Sequence, residues 1–561
     1  MNRFEPHRIL RRRSAPRLYP DDANRLVLEE PKPISESLEW RLAARYWDHH
    51  GVAPFSDGSV PYIINNSGWA PRAAAELILA AGVVHDGPLI VIEVAAGSGI
   101  FARQVLDHVQ QVSMASGTDI YARLLWVCTD GAERSVQAWQ QRGQFLAHAE
   151  HVIMKRMSAT DIAHLALPQG TVIGVVANYA LDSLPADVVH RDGGRLHFQA
   201  CIYAEEAELV QRVGMSLSEV RALLDRPEPD AVDSLLPLLD VLEVQATFLP
   251  DEVEHAQAAL DAAKSDVAMV NSGSLVFLEG ALSRLGEEGF LLLNDYGATL
   301  TEEFKRQTFV HRFGGTITCA LNFPHLDQWL EEQGCRILKP TDDEQRTIHT
   351  RVAVRGEGTA ISAAFERWFC DTHYVHADRL GSWTNSYIAG GQVSEAIELF
   401  ERHLKWCATD WHKLAEAAQL LMQQLGQLDE ALELAHGACQ INPWTSTLVW
   451  NVYGSVLFSK GALAEAEEAW RKAFAIWPDD PSTWLNFSYL YSARGENAQA
   501  LECIAKGLSC DRGGGFRPAL LQKQSEILGQ QYQQHSAYAD RLTRRHRTLV
   551  DALRPSFPSA E

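Results

Sequence analysis

The stretch that decides the fold is Leu89-Ile90-Val91-Ile92-Glu93-Val94-Ala95-Ala96-Gly97-Ser98-Gly99-Ile100-Phe101-Ala102-Arg103. It opens on an unbroken apolar run, as expected of a strand buried on both faces. The carboxylate Glu93 follows, then a turn of small residues. Ile100, Phe101, Val105 and Leu106 then recur at helical spacing. Strand, glycine turn and helix start together make a cradle for a nucleotide-type cofactor. Glycines let the backbone approach the ligand, and the first turn of a helix presents free N–H groups.

Outward from this point, strands and helices alternate, which predicts a parallel sheet covered on both faces. Residues 124–128 read as a second strand ending at Thr129-Asp130-Gly131, and residues 152–157 as a third ending near Asp161. Residues 171–177 form a fourth ending at Asn178, and residues 290–293 a fifth running into Asn294-Asp295-Tyr296-Gly297. Polar and acidic residues thus gather at the carboxyl ends of the strands, where open α/β sheets bind ligands. A helix over 323–333 precedes two strands, 335–338 and 347–354, expected to close the sheet as an antiparallel edge. The expected class is a Rossmann-like α/β domain of residues 35–356. It carries an insertion at about 188–270 that begins as a hairpin turning at Asp192-Gly193-Gly194, read as a lid or as a structural elaboration.

Two cofactors suit the glycine turn. Gly97-x-Gly99-x-x-Ala102 fits a nicotinamide-dinucleotide fingerprint. Glu93-x-x-x-Gly97-x-Gly99, with Ala95 where a further glycine is usual, fits the S-adenosylmethionine loop of a class I methyltransferase. Glu93 before the turn and the antiparallel edge favour S-adenosylmethionine. Asp130 is then placed to accept both ribose hydroxyls, or to cap the helix after it. Asp161 is placed to accept from the adenine amino group, or to cap in its turn. Asn178 and Asp182, in Asn178-Tyr179-Ala180-Leu181-Asp182-Ser183-Leu184-Pro185, face the methyl group in this fold. There they can orient or deprotonate a nucleophile, although Asx residues and proline also simply form turns.

From about residue 380 the pattern becomes all-helical and periodic. Trp450, Tyr453, Gly454, Gly461, Ala466, Trp470, Ala473 and Pro478 match the tetratricopeptide pattern. Trp484, Phe487, Ser488, Gly495, Ala500 and Ile504 repeat it, with 34 residues between Trp450 and Trp484. Gly426, Ala431, Ala438 and Pro443 extend the array upstream, and Gly391 and Ala396 further still. This predicts three to four repeats with capping helices over 380–550, whose groove binds a protein or peptide partner, or whose faces only pack on the enzyme or dimerise it. Residues 357–379 read as a linker or helix and 551–561 as a tail.

Composition sets the outer limits. The chain has 561 residues, 46% of them apolar, with 50 basic against 72 acidic side chains and a net charge of −22. That balance argues against general binding to nucleic acid or an anionic membrane. Residues 1–34 read as a flexible basic arm, with six arginines and one acid in the first 20 positions. No apolar segment follows that suits a secretory signal, and serine and alanine are sparse for a transit peptide. The nine cysteines stand apart, without a C-x-x-C pair or a zinc ligand set, so no metal is expected and reduced thiols in the cytoplasm fit best. No apolar run is long enough to span a membrane.

Residues 92–107, 176–185, 292–297 and 315–323 resemble, in that order, the MidA-type methyltransferases, which include the mitochondrial complex I assembly methyltransferase. The resemblance covers roughly 36–355 and implies a class I fold, S-adenosylmethionine as cofactor and a protein arginine as acceptor. This chain departs from the family in three places. Asn178-Tyr179 replaces Asn-Glu, Thr316-Ile317-Thr318 replaces Asp-Ile-Thr, and Asn65-Asn66-Ser67-Gly68 stands where the family has Ser-Pro-Glu. A carboxylate pair is the natural holder of a guanidinium, so these departures bear on the acceptor rather than the cofactor. The expected function is methylation, at N or O, of a protein or peptide recruited by the repeats. In this reading Glu93, Ala95, Gly97, Gly99, Asp130 and Asp161 hold the cofactor, and Asn178 and Asp182 line the acceptor side. The alternatives are a scaffold whose methyltransferase domain has lost activity, and a small-molecule methyltransferase.

Overall fold

The computed structural model describes residues 25–56, 68–203, 205–226, 229–306, 309–313, 315–370, 373–511 and 513–553. The first 24 residues of the basic arm, Asn65-Asn66-Ser67 and the last eight residues of the tail lie outside these. The chain divides into two compact units between Leu414 and Ala415.

In the first unit, sixteen strands number along the chain as β1 (Arg25–Val27), β2 (Lys32–Pro33), β3 (Leu89–Val94), β4 (Leu124–Asp130), β5 (Val152–Arg156), β6 (Val172–Asn178), β7 (Asp187–His190), β8 (Gly194–Tyr203), β9 (Glu243–Pro250), β10 (Val267–Val270), β11 (Leu285–Ala298), β12 (Val310–Phe313), β13 (Thr316–Cys319), β14 (Leu321–Asn322), β15 (Cys335–Leu338) and β16 (Ile348–Arg355). The main sheet runs β15-β16-β11-β6-β3-β4-β5, with β14 beside β11. Strands β11, β6, β3, β4 and β5 are mutually parallel, whereas β16 and β15 are antiparallel, as the closing edge was expected to be. The chain leaves β3 toward β5 on one side and returns to β6 and β11 on the other. The switch point therefore lies between β3 and β6, the place in open α/β sheets where ligands bind.

Every residue of β3 except Ile90 is buried. Helices α1 (Leu38–His50), α2 (Trp69–Val84), α3 (Ile100–Ser116), α4 (Glu133–Arg142), α5 (Ser272–Arg284), α6 (Phe323–Glu332) and α7 (Thr359–Phe369) surround the sheets. Side chains of α2, α3 and α7 close one face of the main sheet, and those of α5 and α6 close the other.

Two sequence expectations are corrected. The insertion holds a second sheet, β1-β8-β7-β10 with β2 and β9 on β8, where the sequence suggested one hairpin followed by helices. Residues 243–250 pair with β8 along eight registers. Residues 25–34 belong to this sheet through β1 and β2, so the arm gives way to ordered structure ten residues earlier than expected. Of 357–379, read as a linker or helix, residues 359–369 and 373–379 are helical. Helix α7 packs on α2, and the helices α8 (His373–Ala389) and α9 (Val393–Trp406) follow.

That first helix pair stays with the catalytic-type domain through an aromatic seat. The Trp69 ring, at the start of α2, lies 6.2 Å from Trp368 and 6.4 Å from Trp406. The Arg72 guanidinium sits 4.6 Å over Trp368 and donates to the Trp406 carbonyl.

The chain enters the second unit within α10 (Trp411–Leu420), and helices α11 (Leu428–Ile441), α12 (Thr447–Ser459), α13 (Leu463–Ile476), α14 (Pro481–Ala493), α15 (Asn497–Cys510) and α16 (Arg517–Leu553) complete it. A Cβ on Gly454 would lie 2.5 Å from Trp470 Nε1, so the small residue lets α12 and α13 close on each other. Trp470 is 1% exposed and donates to the Asn451 carbonyl at 3.2 Å. The recurring small and large positions of the sequence are this contact.

Candidate cofactor and acceptor site

The turn after β3 is held from three directions. Ala96 N–H donates to the Thr129 carbonyl at 2.9 Å, Trp139 Nε1 to the Gly97 carbonyl at 3.0 Å, and Gln144 Nε2 to the Ser98 carbonyl at 2.7 Å. Gly97 and Gly99 have φ of +53° and +71°. A Cβ on Gly97 would meet the Phe55 ring at 2.5 Å, and one on Gly99 would meet Gln144 at 2.5 Å. Both glycines are therefore required by backbone angle and by space. Ala95 takes φ +51° without being glycine, a strain of about 1 kcal/mol held in the loop.

Asp130, at the end of β4, accepts from Gly97 N–H and Ala132 N–H, each at 2.9 Å. It ties the glycine turn to the segment that leads into α4. Burial raises its carboxyl to about 6, against the pull of the Ala132 and Gly97 amides. Glu93 turns the other way. It is 2% exposed, accepts from Trp126 Nε1 at 3.1 Å, and lies 3.9 Å from Cys128 Sγ. Desolvation pushes its carboxyl up to about 8, so it is a neutral acid at physiological pH. Asp161 lies exposed in a 3-10 turn after β5, with His164 Nδ1 3.9 Å away. The structure thus joins Ala95, Gly97, Gly99 and Asp130 in one turn, places Glu93 beneath it and leaves Asp161 apart.

Those residues suit S-adenosylmethionine. A glycine turn opens at the switch point, and each Asp130 oxygen keeps a lone pair beyond its amide contact.

The acceptor side forms where β6 and β11 end together, with Asn178 opposite Asn294. Asn294 Nδ2 donates to Asn178 Oδ1 at 2.8 Å, and Thr350 Oγ1 donates to Asn294 Oδ1 at 2.7 Å. The amide nitrogen of Asn178 is enclosed and has no partner among the described residues. Tyr179 takes φ +53°, its N–H donating to the Asn294 carbonyl at 2.8 Å. Asp182 is buried beside Asp295, which the sequence marked only as a polar residue at a strand end. Asp295 accepts from the N–H groups of Leu181 and Tyr296 at 2.8 Å and of Asp182 at 3.3 Å. Burial raises both acids, and Asp295 raises Asp182 further, while Thr318 offers Asp182 one hydrogen bond. The amides make Asp295 the easier of the two to ionise, at about 7. Near neutrality Asp182 therefore keeps its proton while Asp295 is poised to lose its own. Asn294, Asp295, Thr318 and Thr350 are the partners that sequence reasoning missed. Among the described residues no His, Cys, Asp or Glu cluster is arranged to hold a metal.

In the second unit a cavity of about 470 Å³ is lined by Met422, Asn451, Ser455, Ser459, Asn486 and Tyr489 among others, none of them charged. Asn451 anchors its floor, donating to Asp480 at 2.7 Å and accepting from Asn486 Nδ2 at 3.0 Å.

Residues 75–341 match the profile of a family described as "Putative S-adenosyl-L-methionine-dependent methyltransferase". No curated protein matches the chain. Among solved structures, a Burkholderia thailandensis protein bound to S-adenosyl-homocysteine is 16% identical, with 61% of this chain and 84% of that one covered at a TM-score of 0.39. The chain is also similar to MamA, at 18% identity over 27% of this chain and 96% of that one, with a TM-score of 0.21, and to Pseudomonas aeruginosa PilF, at 18% identity over 29% and 72%, with a TM-score of 0.25. No described helix is long and apolar enough to cross a membrane. The family match spans the glycine turn, Asp130 and both ends of the acceptor side, and it supports S-adenosylmethionine as the cofactor and methyl transfer as the chemistry of this domain.

Proposed function

We propose that the chain methylates a protein or peptide that its tetratricopeptide repeats recruit. The observation that carries the catalytic half is the enclosed, partnerless Asn178 amide beside a buried acid pair, at the carboxyl ends of the strands flanking the switch point. S-adenosylmethionine supplies an electrophilic methyl carbon. Ala95, Gly97, Gly99 and Asp130 hold it, with Glu93 as a neutral acid under the turn. Asn178 orients an acceptor nitrogen or oxygen by donating to it, which aligns the lone pair for in-line attack. The proton that the acceptor sheds passes to the ionised member of the Asp182–Asp295 pair. The uncharged groove of the repeats supports a peptide partner, since its amides and hydroxyls suit a backbone and its aromatic walls an apolar side chain.

Titration calorimetry with S-adenosylmethionine on the full chain tests the first half. Saturable binding that weakens in Asp130→Ala is expected, and no heat at millimolar ligand refutes it. Deletion of residues 415–561 tests recruitment, because unchanged turnover of a protein substrate contradicts it. A second reading is a scaffold whose methyltransferase-fold domain is silent. It draws on the use of both Asp130 oxygens by backbone amides, and the same calorimetry decides it.

A further inference from the structure

A cavity of about 390 Å³ opens at the closing edge of the main sheet, between α6 and the turn that follows β15. It is large enough for one long side chain or a small molecule. Four carboxylates line it, Asp327, Glu331, Asp343 and Glu344, against two cations, Lys339 and Arg351. Arg351 is already engaged. It is 2% exposed, its Nε donates to Asp327 at 2.9 Å, and Nη1 and Nη2 donate to Asp343 at 2.9 and 2.8 Å. Four acids against two bases leave an excess of two negative charges, with Glu331 and Glu344 exposed to an incoming ligand.

Two oxygens at the cavity also lack partners. Thr299 Oγ1 on its wall, and Asp342 Oδ2 between the lining residues Thr341 and Asp343, are enclosed with no hydrogen bond from the described residues. An enclosed acceptor left unpaired costs about 1–3 kcal/mol, so both oxygens suit an N–H donor brought by an occupant. A metal ion does not suit the site, because no group of three or more His, Cys, Asp or Glu among the described residues is arranged to hold one. The complement is an organic cation with several N–H donors, an ammonium or a guanidinium.

The cavity is also tied to the acceptor side. Asp343 accepts from His349 Nδ1 at 3.1 Å, and His349 lies opposite Asp295 where β16 pairs with β11. Arg351 follows two residues along β16, about 7 Å away. From Asp295 across to His349 and on to Arg351 is roughly 8–10 Å, which an extended peptide covers in about two to three residues. We propose that this cavity is a specificity subsite, taking a lysine or arginine side chain two or three residues from the methylated position. It rests on the reading of the chain as a protein methyltransferase and narrows the acceptor to a basic peptide.

Calorimetry on the full-length chain with blocked pentapeptides, glycine throughout except for a central arginine, lysine or norleucine, reads the subsite without turnover. Saturable binding of the arginine and lysine peptides is expected, with none for norleucine, and the affinity falls as salt rises. Glu331→Gln with Glu344→Gln weakens binding about tenfold, while S-adenosylmethionine binding and melting temperature stay as in the wild type, since both positions are exposed. Thr299→Val weakens it about threefold. Failure of both basic peptides to bind, equal binding of the norleucine peptide, or indifference to the double substitution overturns the subsite. If S-adenosylmethionine binds but the basic peptides do not, the subsite fails and the methyltransferase reading stands. If the basic peptides bind but S-adenosylmethionine does not, the methyltransferase reading fails and takes the cavity's acceptor role with it.

Discussion

Glu93→Gln gives the sharpest test of how the cofactor turn is supported. The carboxyl is enclosed, and its proton affinity is raised from the ordinary 4.5 to about 8, chiefly by loss of water. Between those values the native state holds a proton that the unfolded chain has released. Stability therefore falls as pH rises, by about 1.4 kcal/mol per unit. The burden is absent below about pH 4.5. It grows to roughly 5 kcal/mol by pH 8 as an upper figure, and ionisation of the native carboxyl limits it above that. A glutamine is already neutral, keeps an acceptor for Trp126 Nε1 and fills the same space. The wild type and Glu93→Gln should have similar stability near pH 5, and the variant should be several kcal/mol more stable near pH 8. Urea unfolding across that range is the assay, followed by hydrogen exchange in the β3 segment so that the repeats do not contribute. A variant less stable by the same amount at every pH would refute the reasoning, because it would mean that Glu93 works as an anion.

Gly97→Ala should abolish S-adenosylmethionine binding in calorimetry and lower the melting temperature, since the methyl meets Phe55 and φ is left-handed. Turnover should rise with pH through an apparent pKa near 7, and the limb should vanish in Asp295→Asn, as a pH–rate profile would show. Arg351→Ala should cost about 3–5 kcal/mol in denaturant titration, because it strands Asp327 and Asp343, both held at 2.8–2.9 Å. Asp343 is depressed to about 2, so its contribution is complete above about pH 4 and fades as pH falls through 2. Trp470→Ala should cost about 3–5 kcal/mol and melt the repeats while cofactor binding persists, as calorimetric scanning would show.

Strands β3, β4, β6 and β11 were legible because their apolar runs are continuous and lead into Asx or acid, and the repeats because glycine and tryptophan recur together. The second sheet was not legible. The strands 25–27 and 32–33 are too short to show an alternation of their own, and Glu243-Val244-Gln245-Ala246-Thr247-Phe248 alternates over only six residues; all three pair with β8. At the site, residue types were read correctly but directions were not. Glu93 and Asp130 look equivalent as acids near a glycine turn, yet one points into the sheet and the other ties the turn to α4. Asp295 was visible as a strand-end acid, but its partnership with Asp182 depends on two segments over a hundred residues apart meeting in space.

The aromatic seat of Trp69, Trp368 and Trp406 sets where this polypeptide can be cut. A protein ended at residue 356 keeps the whole Rossmann-like sheet but bares Trp69 and Arg72, so it should be sticky and hard to purify; one ended at 380 still lacks Trp406. One ended near 414 carries its own lid for that surface. The first helical pair thus serves the enzyme domain as part of its body, and the interchangeable part of the array begins only after it.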